Sequence, residues 1–303
     1  MKLRAPTDEQ LASIAGLAVE TRSTINRGHL SLVERIRLRQ SETSKSAILK
    51  TACPALAHER HVHAAVQDYA ICAPVLLDAG DADDDHDAWL LLSDVDEVPF
   101  DELTPAQAVQ PLVDLAAVHR AYLGHKRLTG VPRRDPSWLV EQAEETAELL
   151  LHLVRCQELG VEEELVSAYP DRLRMLAEQH EGEQLTVVHG DFDPGNLIRM
   201  PSGQFAAMDW GLGHLNTPLV DFAHMAERFP KPEQSRLAVE FAEAVGLSGR
   251  DPEQLLDTGL LAHRAFFVWW HSHIVAEGWA PLEDFQLAIT QRVGLIAGQA
   301  AHE

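Results

Sequence analysis

Between residues 30 and 40, LSLVERIRLRQ, apolar and polar positions alternate: Leu32, Glu34, Ile36 and Leu38 stand against Val33, Arg35, Arg37 and Arg39. A period of two predicts a strand. SETSK then predicts a turn, and SAILKTA a second strand that ends near Lys50. LAHERHVHAAVQDYA predicts a helix, and CAPVLLDAG and AWLLLSDV predict two strands around the acidic loop DADDDHD. Ahead of them Thr7-x-x-Gln10 has the spacing of a capping box, so the chain begins with a helix. Strand, strand, helix, strand, strand makes a small α+β lobe.

From residue 105 the period lengthens. Leu112, Leu115, Ala116, His119 and Tyr122 recur along one helical face, and Pro111 suits a first turn. PSWLVEQAEETAELLLHLVRCQ and YPDRLRMLAEQH predict further helices. Beyond them TPLVDFAHMAERF, PEQSRLAVEFAEAVG, PEQLLDTGLLAHRAFFVWWHSHIVAEG and PLEDFQLAITQRVGLIAGQAA read the same way. The strands of this region sit together: LTVV, then NLIRM and QFAAM joined by a Pro-Ser-Gly turn. The organisation that follows is two lobes, residues 1–95 and 96–303.

Composition narrows the function classes. Hydrophobic residues make up 46% of the 303 residues and mean hydropathy is −0.14, so the chain is globular. No run approaches 18 uninterrupted apolar residues, and the first twenty lack a signal-peptide layout, so no membrane partner is expected. A formal charge of −22 argues against nucleic acid as a partner. The three cysteines, Cys53, Cys72 and Cys156, form no CxxC pair; they point to a reducing, cytoplasmic setting and away from a structural zinc site.

The chemistry concentrates in VVHGDFDPGNLIRMPSGQFAAMDWG, residues 187–211. Polar groups this dense between apolar runs are costly to bury unless paired or employed. Asp191 follows a strand and a glycine, which sets its carboxylate at a loop crest. Asn196 opens the next strand, and Asp209 ends the strand that pairs back, so the hairpin should bring them together beside Asp191. An amide oxygen with a carboxylate suits magnesium, which takes oxygen ligands and leaves positions for phosphate and water. One acidic base beside such a site is equipment for phosphoryl transfer.

HGDFDPGN followed by AMDWG resembles the H-G-D-x-x-x-x-N and D-W motifs of the aminoglycoside phosphotransferase/choline kinase-like family, which shares its plan with protein kinases. The resemblance implies an α+β, two-lobed protein-kinase-like fold: a small N-terminal lobe with an antiparallel sheet and a larger, mainly helical C-terminal lobe. It implies that Lys50, in AILK, contacts the ATP phosphates and that Glu59, in HERHV, is its partner. Backbone groups near Ser93 and Val95 would meet adenine. Asn196 and Asp209 would hold Mg²⁺, Asp191 would be the catalytic base, and His189 and Asp221 would support the loop. The partners implied are ATP and a small-molecule hydroxyl acceptor: an antibiotic, an amino alcohol, a sugar or a steroid-like alcohol. Gly190 replaces the arginine of protein kinases and only 11 residues separate Asp209 from Asp221, so no phosphorylated activation loop is expected. Departures from the pattern are the missing glycine-rich loop, where INRGHLSL offers only Gly28, and LNTP after the D-W motif.

Two other functions compete. A pseudokinase would have lost the base or a metal ligand, yet Asp191, Asn196, Asp209 and Lys50 are all present. A metal-dependent hydrolase would use His189, Asp191 and Asp193, but it leaves Lys50 unexplained. Glu34 is an alternative partner for Lys50. His119 reads as a satisfied core histidine, and FFVWWHSH (266–273) as core packing of a late helix. Acceptor selection, if the sequence shows it anywhere, lies in that segment with Trp279, Glu227 and Glu277.

Overall fold

The computed structural model describes residues 2–15, 18–40, 43–100, 102–125, 127–156 and 158–297. Part of the turn expected at Ser41 and Glu42, and the last residues of the final helix, lie outside them. In chain order the first elements are α1 (Asp8–Ala15), β1 (Ala18–Arg27), β2 (Ser31–Gln40), β3 (Thr43–Ala52), α2 (Glu59–Val66), β4 (Leu76–Gly80) and β5 (Ala88–Ser93). Next come α3 (Pro105–Tyr122), α4 (Pro136–Arg155), α5 (Glu163–Ser167), α6 (Tyr169–Gln179) and β6 (Thr186–Val188). The chain finishes with β7 (Leu197–Arg199), β8 (Phe205–Ala207), β9 (His214–Asn216), α7 (Leu219–Ala226), α8 (Lys231–Val245), α9 (Pro252–Ala276) and α10 (Gln286–Ile296). They form two compact units, Met1–Asp101 with Leu197–Leu212, and Glu102–Asn196 with Gly213–Glu303.

The first unit is an antiparallel sheet of order β1-β2-β3-β5-β4. Alternation in β2 and β3 decides what each face carries. Glu34 pairs with Leu49 and Ile36 with Ala47 across the two strands, and this face packs Ile36, Leu38, Ala47, Leu49, Trp89 and Leu91 against Leu11 of α1. The capping box at the start of α1 is present: Thr7 N–H donates to Gln10 Oε1 at 2.7 Å and Gln10 N–H to Thr7 Oγ1 at 3.2 Å. Lys50, one position beyond Leu49, therefore points to the opposite face. The same parity removes Glu34 from its reach, and Glu34 instead pairs with Arg22. Strand β1 went unforeseen in the sequence. It is an edge strand whose residues are mostly exposed, so no apolar alternation is imposed on it.

The hairpin β7–β8 belongs with this unit because its second strand is stitched to the chain before β4. Ala207 N–H donates to Ile71 O at 2.6 Å and Ala73 N–H to Ala207 O at 3.1 Å. Gly203, at φ 88°, makes the expected turn between the two strands.

The second unit is helical around one short ladder. Strand β6 pairs with β9, which the sequence reading did not anticipate because three residues are too few to show a period. Helix α3 starts at Pro105, not near Pro111. Thr104 and Gln107 form a capping box there, and Pro105 takes the first-turn position expected of Pro111, which lies buried inside the helix. Helices α7 and α9 approach so closely at Gly259 that an added Cβ would sit 2.4 Å from Leu219 O. The aromatic stretch of α9 is core: Phe266, Phe267, Trp269, Trp270 and His271 are all buried, and Trp269 meets Trp138 of α4 edge-on at 4.6 Å.

Candidate active site

In the first unit Lys50 is buried and held between two carboxylates. Its Nζ lies 2.9 and 2.7 Å from the two Glu59 oxygens and 2.7 Å from Asp209 Oδ1. Strand β3 brings Lys50, α2 brings Glu59 in its first turn, and the chain leaving β8 brings Asp209. Burial opposes the Lys50 charge, but Asp209 and Glu59 outweigh it and raise the ammonium above its ordinary value. Burial likewise pushes Glu59 up, and Lys50 followed by a hydrogen bond from His63 brings it below the usual carboxylate range. Lys50 and Glu59 thus stay ionised. Asp209 is the non-glycine residue with a left-handed backbone among those described, at φ 61°, a conformation costing about 1 kcal/mol or more. Gly211 makes the approach possible: a Cβ there would lie 3.1 to 3.4 Å from Asp209 Oδ1, Glu59 Oε2 and Lys50 Nζ. Sequence reasoning did not single out Gly211, since its role is a close contact and not a turn.

In the second unit the loop after β6 is braced from below. The buried Asp221 of α7 accepts from His189 N–H at 2.7 Å and Gly190 N–H at 2.8 Å, and contacts His119 Nε2 at 3.1 Å. Burial alone would raise its carboxyl. The hydrogen bond and charge of His119, with the His189 contacts, hold it below the usual range. His119 thus engages Nε2 with the residue that carries the loop, while its buried Nδ1 has no hydrogen-bond partner among the described residues, so the core histidine expected from the sequence is only half satisfied. Gly190, at φ 82°, permits the sharp turn that follows.

Asp191 stands above this brace with its side chain 36% exposed. Asn196 Nδ2 donates to Asp191 O at 2.8 Å and Asp191 Oδ2 at 3.0 Å. Burial raises the Asp191 carboxyl above its ordinary value, partly opposed by His224 and His189, which makes it a better proton acceptor than an ordinary aspartate. Asp193 is engaged elsewhere, accepting from Gly195 N–H at 2.7 Å and pairing with Arg228. His224 Nδ1 lies 3.6 Å from Asp191 Oδ1. The sequence reading passed over His224, although its place three residues after Asp221, one turn along a helix, would have marked it.

Ser93 and Val95 differ in what they leave available. Ser93 spends its backbone N–H on Val75 O at 2.9 Å and its Oγ on Val75 N–H at 2.9 Å. Val95 packs with Met200 and Met208 against Ala73, Ile198 and Ala206. Glu227 pairs with Arg264.

Each unit offers an oxygen donor of the kind magnesium takes. With both Asn196 amide hydrogens turned to Asp191, its amide oxygen accepts no hydrogen bond among the described residues, and the Asp209 carboxylate is 55% exposed. Hard oxygens with room for water and phosphate are what Mg²⁺ takes. Among the described residues no three His, Cys, Asp or Glu side chains cluster into a metal cage of their own.

A family model described as APH, phosphotransferase enzyme family, matches residues 33–256. No curated protein matches. Among solved structures, choline kinase LicA from Streptococcus pneumoniae aligns with a TM-score of 0.64 at 14% identity, covering 96% of each chain. Macrolide 2'-phosphotransferase MphH from Brachybacterium faecium aligns at 0.59 and 13%, covering 97% of each. A thermostable mutant of aminoglycoside phosphotransferase APH(4)-Ia, in ternary complex with ADP and hygromycin B, aligns at 0.60 and 16%, covering 98% of this chain and 99% of that one. At such identities these likenesses speak for the fold, which is the two-lobed, protein-kinase-like one expected. By the family match over most of its length, the chain belongs to the phosphotransferase enzyme family and is a small-molecule kinase.

Proposed function

We propose that the protein transfers the γ-phosphoryl of Mg-ATP to a hydroxyl of a small molecule. The observation that carries this is the buried Lys50 held by Glu59 and Asp209. A lysine removed from water and kept charged is poised for an anion of high charge, and a triphosphate supplies one. Lys50 binds the α- and β-phosphates, and Glu59 fixes its position. Backbone groups from Ser93 to Val95 face adenine; the Ser93 carbonyl and the residues after it serve, since the Ser93 N–H is spent. Asn196 and Asp209 hold Mg²⁺, which when bound neutralises the phosphate oxygens.

Asp191 orients the acceptor and takes its proton. The hydroxyl oxygen bonds to the γ-phosphorus as the bond to the departing ADP oxygen breaks, and the hydroxyl proton passes to Asp191. His189 and Asp221 keep the loop in register for this step. In this reading residues 1–95 handle the nucleotide and 96–303 the catalytic loop and acceptor. The ADP and hygromycin B held together by the APH(4)-Ia structure support a nucleotide and a small alcohol as the two ligands. The free cysteines, two of them buried, agree with a reducing cytoplasm, and no described helix is long and apolar enough to cross a membrane.

The test is calorimetry of Mg-ATP binding with a phosphoryl-transfer assay. Asp191→Ala should bind Mg-ATP and lose transfer, whereas Asn196→Ala and Asp209→Ala should weaken Mg-ATP binding itself. Transfer retained in Asp191→Ala ends the assignment of the base. Zinc-dependent hydrolysis without nucleotide binding ends the kinase reading.

A further inference from the structure

The wall beside Asp191 is built by α7, α9 and α10, and its charges do not balance locally. From Asp191 the contacts run outward through aromatic rings. His224, whose Nδ1 is 3.6 Å from Asp191 Oδ1, stacks on His263 with centroids 4.0 Å apart. Phe267 lies 4.6 Å from His263 and 6.0 Å from His224. On Phe267 sits Arg292 of α10, its guanidinium carbon 5.0 Å from the ring centroid. One aromatic ring thus separates Arg292 from the pair of histidines that touches the base.

Arg292 has no acid of its own. Its polar contact is a long 3.4 Å bond from Nη1 to Ala288 O of its own helix, and among the described residues no carboxylate comes within ion-pair distance. The acids of this wall are already claimed, Asp193 by Arg228 and Glu227 by Arg264. Burial lowers the Arg292 guanidinium from its ordinary value, and Glu227 and Asp191 oppose this from a distance. His263 and His271 are held neutral by burial, with Arg292 adding to the effect. Arg292 is partly buried, so its guanidinium has lost some hydration yet can still be reached, and a ligand that brings a countercharge would make up what is missing. The planar fork of an arginine matches a carboxylate or a phosphate through two parallel hydrogen bonds. A cationic acceptor would meet Arg292 as a like charge and find Asp193 and Glu227 engaged. This is notable in a chain of net charge −22, where acids are plentiful everywhere else.

We propose that the acceptor is an alcohol that carries an anionic group, a carboxylate or a phosphate, and that Arg292 binds this group. The inference rests on the phosphotransferase reading and names its substrate class. Glu227, which the sequence placed among the candidates for acceptor selection, is paired with Arg264 and leaves no free carboxylate for an amine.

The experiment compares matched alcohols in an ATP-consumption assay: homoserine against 3-aminopropanol, and glycerate and glycerol 3-phosphate against glycerol. The anionic member of a matched set should give a kcat/KM at least about tenfold higher. Glycerate against glycerol 3-phosphate tells carboxylate from phosphate. Arg292→Ala should raise KM for the preferred anion by about 10- to 100-fold, with kcat changed by less than about threefold. Arg292→Lys should recover part of the loss, and thermal melts of both variants establish that they fold. A preference for amino alcohols or aminoglycosides overturns the proposal, as does a KM unmoved in Arg292→Ala. Mg-ATP binding is measured separately, without acceptor. Binding with no transfer to any anionic alcohol sinks this inference alone, and no binding takes the phosphotransferase reading with it.

Discussion

The two units bury ionisable groups in opposite ways. Around Lys50 the buried charges are kept: the ammonium lies within 2.9 Å of both Glu59 oxygens and of Asp209, and Lys50 and Glu59 stay ionised. Around Asp191 most buried groups are held neutral. His224, His263 and His271 are all lowered by burial, as is His180 farther away, and Arg292 lies over a ring instead of an acid. On the proposed function, the difference follows from what each part would bind. A triphosphate is always highly charged, so a fixed cation held by fixed anions can be built once for it. An acceptor must be discriminated and a proton must be moved, which calls for groups whose charge responds to what arrives. Asp221 is the exception in the second unit, a buried carboxylate kept ionised because two backbone amides and His119 point at it.

The sharpest way to break this comparison is through Asp191. Its replacement by Ala should lower transfer by about 10²- to 10⁴-fold, the usual contribution of a general base, in single-turnover assays with saturating Mg-ATP. Because burial raises the Asp191 carboxyl, the acid limb of kcat/KM should lie above the pH of an ordinary aspartate. A limb at the ordinary position would show that the residue is better solvated than its surroundings imply.

Next in size are the two braces. Asp221→Ala strands the amides of His189 and Gly190, and Lys50→Met strands Glu59. Each should cost about 3–5 kcal/mol in denaturant unfolding. They part company in binding: Lys50→Met should also abolish Mg-ATP affinity, and Asp221→Ala should weaken transfer more than nucleotide binding. Equal losses of both functions in both variants would mean that the units do not divide the work in this way.

A smaller effect separates the units by pH. An unfolded histidine titrates near 6.5, while burial pushes His271 down to about 3 and lowers His180, His224 and His263 as well. Between those limits the unfolded chain binds more protons, so this stability is complete above about pH 6.5 and is lost as pH falls towards 3. The slope is up to about 1.4 kcal/mol per pH unit for each histidine. Replacing His271, which stacks on Phe285 at 4.5 Å, by Phe should flatten the acid side of a melting-temperature profile. An unchanged slope would exclude His271 from the effect.

The smallest expected change is Gly211→Ala. Its Cβ would press on Lys50, Glu59 and Asp209 by a few tenths of an ångström, and Mg-ATP affinity should fall only a few-fold. A loss as large as that of Lys50→Met would show a triad with no slack at all.

Much of this was legible along the chain. The alternation of β2, the lengthened period after residue 105 and the crowding of His189, Asp191, Asn196 and Asp209 are properties of local spacing, and spacing survives in a sequence. What local spacing cannot carry is partnership. Glu34 lies 16 residues before Lys50 and Glu59 9 residues after it, and only the pairing of β2 with β3 turns Glu34 to the other face and leaves Lys50 to Glu59. FFVWWHSH is equally a binding wall or a core in one dimension; packing against α4 makes it core. Edge strand β1 and three-residue β9 leave no pattern because exposure and brevity impose none. So the sequence by itself determined the fold class and the chemistry of the loop, since both depend on residues near one another in the chain. Tertiary structure alone decided that Asp193 and Glu227 are claimed and Arg292 is not, because a charge is balanced by what surrounds it in space.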